Sequence, residues 1–165
     1  MDDSAICVFT GRSTRQILED QGSGSWVLNL RHARRQRYLV CTRNQANTDW
    51  GADEYHRSAF LVGRISGLEP LPSEGGVARW KVQIDQYATS RQEDVWGPWR
   101  NPVRYTTLHE LGIDLSSLIF EPVPPPLFFA FGKSGDQTLT IAEAKRRLAR
   151  TFNVDPAAIE IIIRG

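Results

Sequence analysis

Cysteine and histidine are scarce in this chain, whose 165 residues include two cysteines and three histidines. Cys7 and Cys41 each lie in an apolar segment that is typical of a strand, so we expect buried, reduced thiols and no disulfide. His32, His56 and His109 have no second His or Cys at the spacing of a zinc site. The sequence therefore predicts no metal site and no cofactor.

Long apolar runs are also missing. No segment approaches the roughly 20 apolar residues that a transmembrane helix needs. The start, MDDSAICVF, lacks the basic region that precedes the apolar part of a secretory signal. Because 41% of the residues are hydrophobic and 24% are charged, the composition indicates a soluble globular protein, which we expect to be cytoplasmic.

Familiar catalytic motifs are absent as well. The sequence has no G-x-S-x-G elbow, no Walker loop and no G-x-G-x-x-G after a strand. We therefore predict no catalytic residues and expect a binding protein rather than an enzyme. An acid/base nuclease built from Glu54, Tyr55 and His56 stays open as an alternative, because RNA cleavage without metal needs a His, a second proton carrier and a cation.

Positive charge is concentrated in one segment, although the net charge is only +1. The run RHARRQR carries Arg31, Arg34, Arg35 and Arg37. A nearly neutral protein with one basic region suits local phosphate contacts better than the wrapping of a long duplex.

Short apolar segments predict a fold made mainly of strands. We expect strands over residues 6–10, 37–43, 58–66 and 80–84, a short helix from Ser13 or Thr14 to about residue 20, and a Pro/Gly-rich turn over residues 68–76. The tail predicts a strand at 127–131, a helix at 140–152 with a capping box of Thr140 and Glu143, and a strand at 159–164. This pattern predicts an α+β protein with a small, strongly curved β-sheet or barrel and peripheral helices.

Tryptophans in turns are the strongest indication of a ligand. Trp80 alternates with polar neighbours and is expected in the core, whereas Trp26, in the turn GSGSW, Trp50, Trp96 and Trp99 lie in predicted turns and loops. Indole walls suit a flat aromatic ligand such as a nucleobase, whose stacking on one ring contributes about 1–3 kcal/mol. A methylated base has a more polarisable face that suits them further.

Polar residues near these tryptophans are candidates for reading a base. Ser25, Asn29 and Asn44 offer hydroxyl and amide groups that donate and accept hydrogen bonds. Flanking phosphates would be held by arginines, for which the candidates are Arg12, Arg34, Arg35 and Arg100.

The order of these elements resembles a known family. A strand ending in G-R-S, a helix, a glycine turn into Trp26, the strand YLVCTRN and the glycine-containing strand AFLVGRISGL are similar in order to the YTH domain and the bacterial EVE domain of the PUA-like superfamily. RWKVQIDQYA and WRNPVRYTTLHEL are similar to the last strands of that superfamily. The resemblance covers roughly residues 5–120. It implies a PUA-like domain over residues 1–122 that forms a curved mixed β-barrel with peripheral helices. Residues 123–165 would then form a β-α-β extension packed on the same domain.

The resemblance also implies a function. Family members take a modified base, flipped out of DNA or RNA, into an aromatic cage, and no catalysis is involved. Residues of this chain that match the cage or its surroundings are Trp26 as the first wall, Ser25 and Asn29 as polar neighbours, Ser13 and Thr14 near the base or sugar, and Trp50 or Trp96 as the second wall. A nuclease or ATPase subunit is a conceivable partner.

Departures from the family keep two alternatives open. YTH domains carry Lys-Ser where this chain has Arg12 and Ser13, and the tail has no counterpart. A nuclease or base-processing enzyme on an ASCH-like barrel would direct His56 or His109 into the pocket of Trp26. A protein-interaction module would instead expose Trp96 and Trp99 as an apolar patch.

Overall fold

The computed structural model describes residues 2–45, 55–125, 141, 144–145, 148–149 and 155–161. The chain divides into two compact units, Met1–Phe128 and Phe129–Gly165. No helix among the described residues is long and apolar enough to cross a membrane. The predicted packing of residues 123–165 on the first domain stays a prediction.

A seven-stranded sheet and two short α-helices make up the described part of the first unit. In chain order these are β1 (Ser4–Thr10), α1 (Thr14–Glu19), β2 (Gly22–Trp26), α2 (Leu30–Ala33), β3 (Tyr38–Arg43), β4 (Ala59–Glu74), β5 (Val77–Gln92), β6 (Val103–Thr107) and β7 (Glu121–Pro122). The strand order is β2-β5-β4-β3-β1-β6, and β7 pairs with β5. Only β1 and β3 are parallel, so the predicted mixed α+β class is confirmed.

The sheet is open, which corrects the predicted barrel. Within the described ranges, β2 and β6 stand at the two ends of the strand order and do not pair. The Tyr105 hydroxyl of β6 forms hydrogen bonds with the backbone of Asn29, which follows β2. It accepts from the Asn29 N–H at 2.9 Å and donates to the Asn29 carbonyl at 3.3 Å. Because a side chain takes these backbone groups, they are not available for a closing ladder.

Helix α1 begins as the sequence predicts. The Ser13 hydroxyl accepts from the backbone N–H of Gln16, and the Gln16 side chain accepts from the N–H of Ser13 at 2.9 Å. This capping box satisfies two backbone donors that a helix start otherwise leaves unpaired. Ile17 is fully buried, so the side of α1 that carries it faces the core.

Strand β4 is longer than predicted. The turn expected over residues 68–76 is limited to Gly75 and Gly76, which have φ values of +58° and +77°. β3 accompanies β4 only as far as the pair of Tyr38 and Arg64. Beyond that pair one edge of β4 is unpaired among the described strands, and proline is tolerated at such an edge because it needs no hydrogen-bond partner there.

Both faces of the sheet are covered by core residues. Successive residues of a strand point to opposite faces, so β1 divides its side chains between two clusters. Ile6 and Val8 pack with residues of α1, α2 and β4 on what we call the helix face. Ala5 and Cys7 pack with Trp96 on what we call the Trp96 face.

The second unit is described only in part. The described residues Ile141, Ala144, Lys145, Leu148 and Ala149 are helical, in agreement with the predicted helix at 140–152. A 3-10 helix, Pro156–Ala158, starts at Asp155. Residues 159–161 are not in a strand, so the predicted strand at 159–164 is wrong for its first three residues. No described strand pairs with them. The predicted strand at 127–131 and the Thr140–Glu143 capping box lie outside the described residues.

Gly63→Ala is expected to destabilise the sheet by about 1–3 kcal/mol, the usual cost of overpacking a core. A Cβ at Gly63 would lie 2.5 Å from Cγ2 of Ile84, which is buried in the helix face. Gly67→Ala on the same strand is the matched control, because its Cβ would meet only the flexible Gln83 amide, at 2.7 Å. Urea unfolding gives both free energies, and equal losses would contradict this packing.

Neither cysteine is expected to react with a thiol reagent in the native protein at pH 8. Burial raises the pKa of Cys7 to about 12 and that of Cys41 still further, and the thiolate is the reactive form. A native sample should therefore release no chromophore with Ellman's reagent, whereas a denatured one should titrate both thiols. A rapidly reacting thiol in the native state would show that one of them is accessible.

Candidate nucleic-acid interface

The basic side chains in and directly after helix α2 are exposed. Asn29 starts the helix, since its side-chain oxygen accepts from the His32 N–H at 3.3 Å. Ala33 is buried against the helix face of the sheet. With the apolar side of this single turn directed inward, the basic side chains point outward, and all of them are exposed: Arg31, His32, Arg34, Arg35 and Arg37.

Three of these arginines have no anionic partner. Arg37 pairs with Asp2 at 3.2 Å. Arg31, Arg34 and Arg35 form neither an ion pair nor a side-chain hydrogen bond with any residue that the structure describes. The face of α2 therefore carries three guanidinium groups whose donors are directed to solvent.

A cavity of about 280 Å³ lies between α2 and the β4–β5 ribbon. Its wall includes the Trp80 indole, and Arg34 lies on it. The Gln36 amide nitrogen donates to the His32 carbonyl at 3.1 Å. The lining residues are Leu30, Ala33, Arg34, Gln36, Ile65, Ser66, Gly67, Leu68 and Trp80. We call this the α2 cavity. Its volume is near the lower end of small-molecule pockets, so a ligand of about one planar ring system would fit it.

Trp26 and Trp80 are cross-strand partners in the pairing of β2 with β5. Trp26 is half-buried against the helix face, and its indole N–H donates to the Ser23 hydroxyl at 3.1 Å. Trp80 is half-buried too, which corrects its expected place in the core. The alternation in the sequence gives the correct face, but at Trp80 the ribbon has passed the edge of β3, so fewer residues cover the indole.

Trp96 is not brought together with Trp26. It is 3% exposed and stacks on Phe9, with the ring centroids 5.0 Å apart and the planes 2° apart. Phe9 packs against the Trp96 face, whereas Trp26 packs against the helix face. The two indoles therefore lie on opposite sides of the sheet. Trp50, the other candidate for a second wall, lies outside the described residues.

The remaining base-binding candidates lie at separate places. Ser25 is half-buried in β2 beside a cis Gly24–Ser25 peptide. The Ser13 hydroxyl caps α1, and Thr14 lines a second cavity of about 570 Å³. The backbone N–H of Asn44 donates to the Thr10 carbonyl at 2.9 Å. Base contacts by these residues stay predictions.

The predicted phosphate-binding arginines divide in the same way. Arg34 is the C-cap of α2 and Arg35 is the next residue of the turn, and both are exposed. The Arg12 side chain pairs with Asp20. Arg100 is exposed in the segment between β5 and β6. Arg34 lines the α2 cavity, and neither Arg34 nor Arg35 has a carboxylate partner in the described part of the chain.

Arg43 is a buried cation that the sequence analysis did not single out. It is 0% exposed, its guanidinium carbon lies 4.1 Å above the Phe60 ring, and one nitrogen donates to the Arg12 carbonyl at 2.7 Å. These contacts fasten the segment between β1 and α1 to the end of β3. Its burial depends on contacts from distant strands. For this reason the sequence does not distinguish Arg43 from the other arginines near the basic run.

His56 and His109 lie at separate places, and Glu54 of the predicted acid/base set lies outside the described residues. The His56 ring lies 5.4 Å from Phe9, and its Nδ1 accepts from the Gln45 N–H at 3.2 Å. His109 lines a different cavity, together with Asp3 and Asp114. Neither lines the α2 cavity. Across the described ranges, no three His, Cys, Asp or Glu residues are placed to hold a metal ion.

Comparisons of the chain with known protein families, with curated proteins and with solved structures give no match. The protein is therefore classified by its fold alone, as a mixed α+β protein with an open, mostly antiparallel sheet. Its arginine-rich helix borders a cavity with a tryptophan wall.

Asn29→Ala is expected to lower the free energy of unfolding by about 1 kcal/mol, because a short helix loses its N-cap. Asn29→Ser keeps a capping oxygen and should unfold within a few tenths of a kcal/mol of the wild type. Thermal or urea unfolding compares the two. If both variants lose the same stability, capping is not what the Asn29 side chain contributes.

Proposed function

We propose that this protein is a PUA-like module of the EVE/YTH type that binds a modified or flipped base in single-stranded or locally opened nucleic acid. It would act in the cytoplasm, without catalysis, alone or beside a nuclease or ATPase subunit. The observation that carries the proposal is the position of Arg34, which pairs with no described carboxylate, on the lining of a cavity that also includes Trp80.

Electrostatics supports contact with phosphates. Arg31, Arg34 and Arg35 are exposed on one helical turn, and no described carboxylate neutralises them. Binding a phosphate therefore breaks no existing ion pair, and it releases counterions from the nucleic acid. The guanidinium group also offers the forked donors that match phosphate oxygens.

The chemistry of the α2 cavity supports insertion of a base. Trp80 lines the cavity and offers an indole for stacking, whereas its cross-strand neighbour Trp26 is not among the lining residues. The Ser66 hydroxyl and the Gln36 side chain supply polar groups for the edge of a base. Its volume of about 280 Å³ favours one base over a helical segment.

The exposure of Trp99 favours a second candidate, a protein-interaction surface. This indole is 41% exposed, with the guanidinium of Arg104 lying 4.2 Å from the ring centroid. Trp96 is buried, so the expected patch is reduced to one tryptophan. A hydrophobic contact there would respond weakly to salt, whereas nucleic-acid binding weakens steeply as salt rises.

The first experiment titrates short oligonucleotides while tryptophan fluorescence is recorded at several salt concentrations. The set contains unmodified C and A, 5-methylcytosine, 5-hydroxymethylcytosine and N6-methyladenine. We expect quenching, an affinity that falls with salt, and a preference for one modified base. An unchanged emission with every oligonucleotide would contradict the proposal.

The double variant Arg34→Ala/Arg35→Ala should reduce the slope of log affinity against log salt by about 1.4, since each contact to a single strand contributes about 0.7. Arg15→Ala is the matched control. It also removes one exposed guanidinium, but that group is paired with Glu19 at 2.7 Å. If Arg15→Ala changes the slope as strongly per charge, the effect reflects net charge and not the α2 face.

Trp80→Leu and Trp26→Ala should each weaken oligonucleotide binding, because stacking on one ring is worth about 1–3 kcal/mol, or about 5- to 150-fold in affinity. Trp99→Leu removes an exposed indole on the Trp96 face and serves as control. Unfolding curves for all three separate a loss of fold from a loss of contact. Full affinity in both Trp80→Leu and Trp26→Ala would exclude the stacking site.

A further inference from the structure

A second cavity lies at the other end of β4. Phe60, on its wall, and Leu68, on the wall of the α2 cavity, are eight residues apart on this strand. At about 3.3 Å per residue the separation is roughly 25 Å, so one nucleotide cannot occupy both cavities. We call this space the Tyr55 cavity. It has a volume of about 570 Å³ and is lined by Thr14, Tyr55, Ser58, Ala59, Phe60, Thr89, Ser90, Arg91 and Glu93.

Tyr55 gives this cavity an aromatic surface that the fold leaves uncovered. Its side chain is 72% exposed and makes no ring contact or side-chain hydrogen bond with the described residues. An exposed ring of this kind is a platform on which a nucleobase stacks whatever its sequence. The Tyr55 side chain is therefore exposed to a ligand that enters this cavity.

Another part of the lining is held in place. Phe60 is 3% exposed, and the buried Arg43 guanidinium lies over its ring. Arg43 also donates to the Arg12 carbonyl, two residues before Thr14. The wall from Thr14 to Phe60 is thus fixed before any ligand arrives, which lowers the entropy lost on binding.

Two opposite charges are available at the same cavity. Arg91 lies near the end of β5 and Glu93 directly follows the strand, with Gln92 between them, and neither forms an ion pair in the part of the chain that the structure describes. Hydroxyl groups of Thr14, Thr89 and Ser90 lie on the same lining. A purely anionic ligand would be repelled by Glu93, and a purely cationic one by Arg91. The pair suits a ligand that carries both an anion and hydroxyl donors.

We propose that the Tyr55 cavity binds a ribonucleotide unit. The base stacks on Tyr55, the phosphate pairs with Arg91, and the Glu93 carboxylate accepts from the ribose hydroxyls, as acidic side chains do in dinucleotide sites. The unit is either a free ribonucleotide or one nucleotide of an RNA strand. This assignment depends only on the chemistry of this cavity and holds whether or not the α2 face binds nucleic acid.

Calorimetric titration of the full chain with AMP, 2′-deoxy-AMP and adenosine is the first arm of the test, and matched short RNA and DNA strands are the second. We expect the ribose form to bind about tenfold more tightly than the deoxy form, the scale of a hydrogen bond to a charged group at an exposed site. Binding of AMP identifies a free nucleotide as a ligand. A ribose preference found only with strands identifies a nucleotide within RNA.

Single substitutions then assign the contacts. Glu93→Gln should abolish the preference for ribose, and Arg91→Gln should weaken AMP but leave adenosine unchanged. Tyr55→Leu should weaken every ligand about 5- to 150-fold. Asp94→Asn removes an exposed carboxylate next to Glu93 that does not line the cavity, and it should change nothing. Arg34→Ala/Arg35→Ala should leave AMP affinity unchanged, which separates this site from the α2 face.

Equal affinity for ribose and deoxyribose forms in both arms would overturn the proposal, as would a preference that survives Glu93→Gln. Failure of AMP, adenosine and RNA to bind at millimolar concentration would overturn it too. Loss of oligonucleotide binding in the Arg34→Ala/Arg35→Ala variant with AMP binding intact would leave it standing. Loss of AMP binding in that variant would place AMP at the α2 face and overturn the assignment to the Tyr55 cavity.

Discussion

The parallel pairing of β1 with β3 is the constraint from which the rest of the arrangement follows. These two strands run side by side from Ala5 and Tyr38 to Thr10 and Arg43, and core residues cover both faces. Parallel neighbours need a crossover connection, and here the crossover contains α1, β2 and α2. The basic helix and Trp26 therefore belong to one continuous excursion of the chain, and both end up on the helix face.

Local chemistry made part of this structure predictable. The sequence predicts the apolar segments of β1 and β3 and the capping residue of α1, because each of these features depends on neighbours a few residues away. The sequence does not predict that β4 continues through two prolines, because this depends on the point at which β3 ceases to pair with β4. The burial of Trp96 likewise depends on the distant Phe9 ring, which no local pattern announces.

The candidate site divides along the same line. The exposure of Arg34 and Arg35 follows from a one-turn helix whose apolar side is buried, and a basic run in sequence indicates it well. The pairing of Arg12 with Asp20 and the burial of Arg43 needed the folded chain. Residues of one charge in a sequence thus have different roles in the structure: some are exposed, one is neutralised by a carboxylate, and one supports a wall of a cavity.

The tip of the β4–β5 hairpin has a practical consequence. Gly75 and Gly76 are exposed, and a side chain at either position would meet no atom within 4 Å. Both strands run 16 residues, so the tip lies several residues beyond Trp80 and further still from Tyr55. Exposed loop tips of this kind tolerate inserted sequence. A fluorescent label or an affinity tag placed there would report on the molecule, or immobilise it, while both cavities keep their access to solvent.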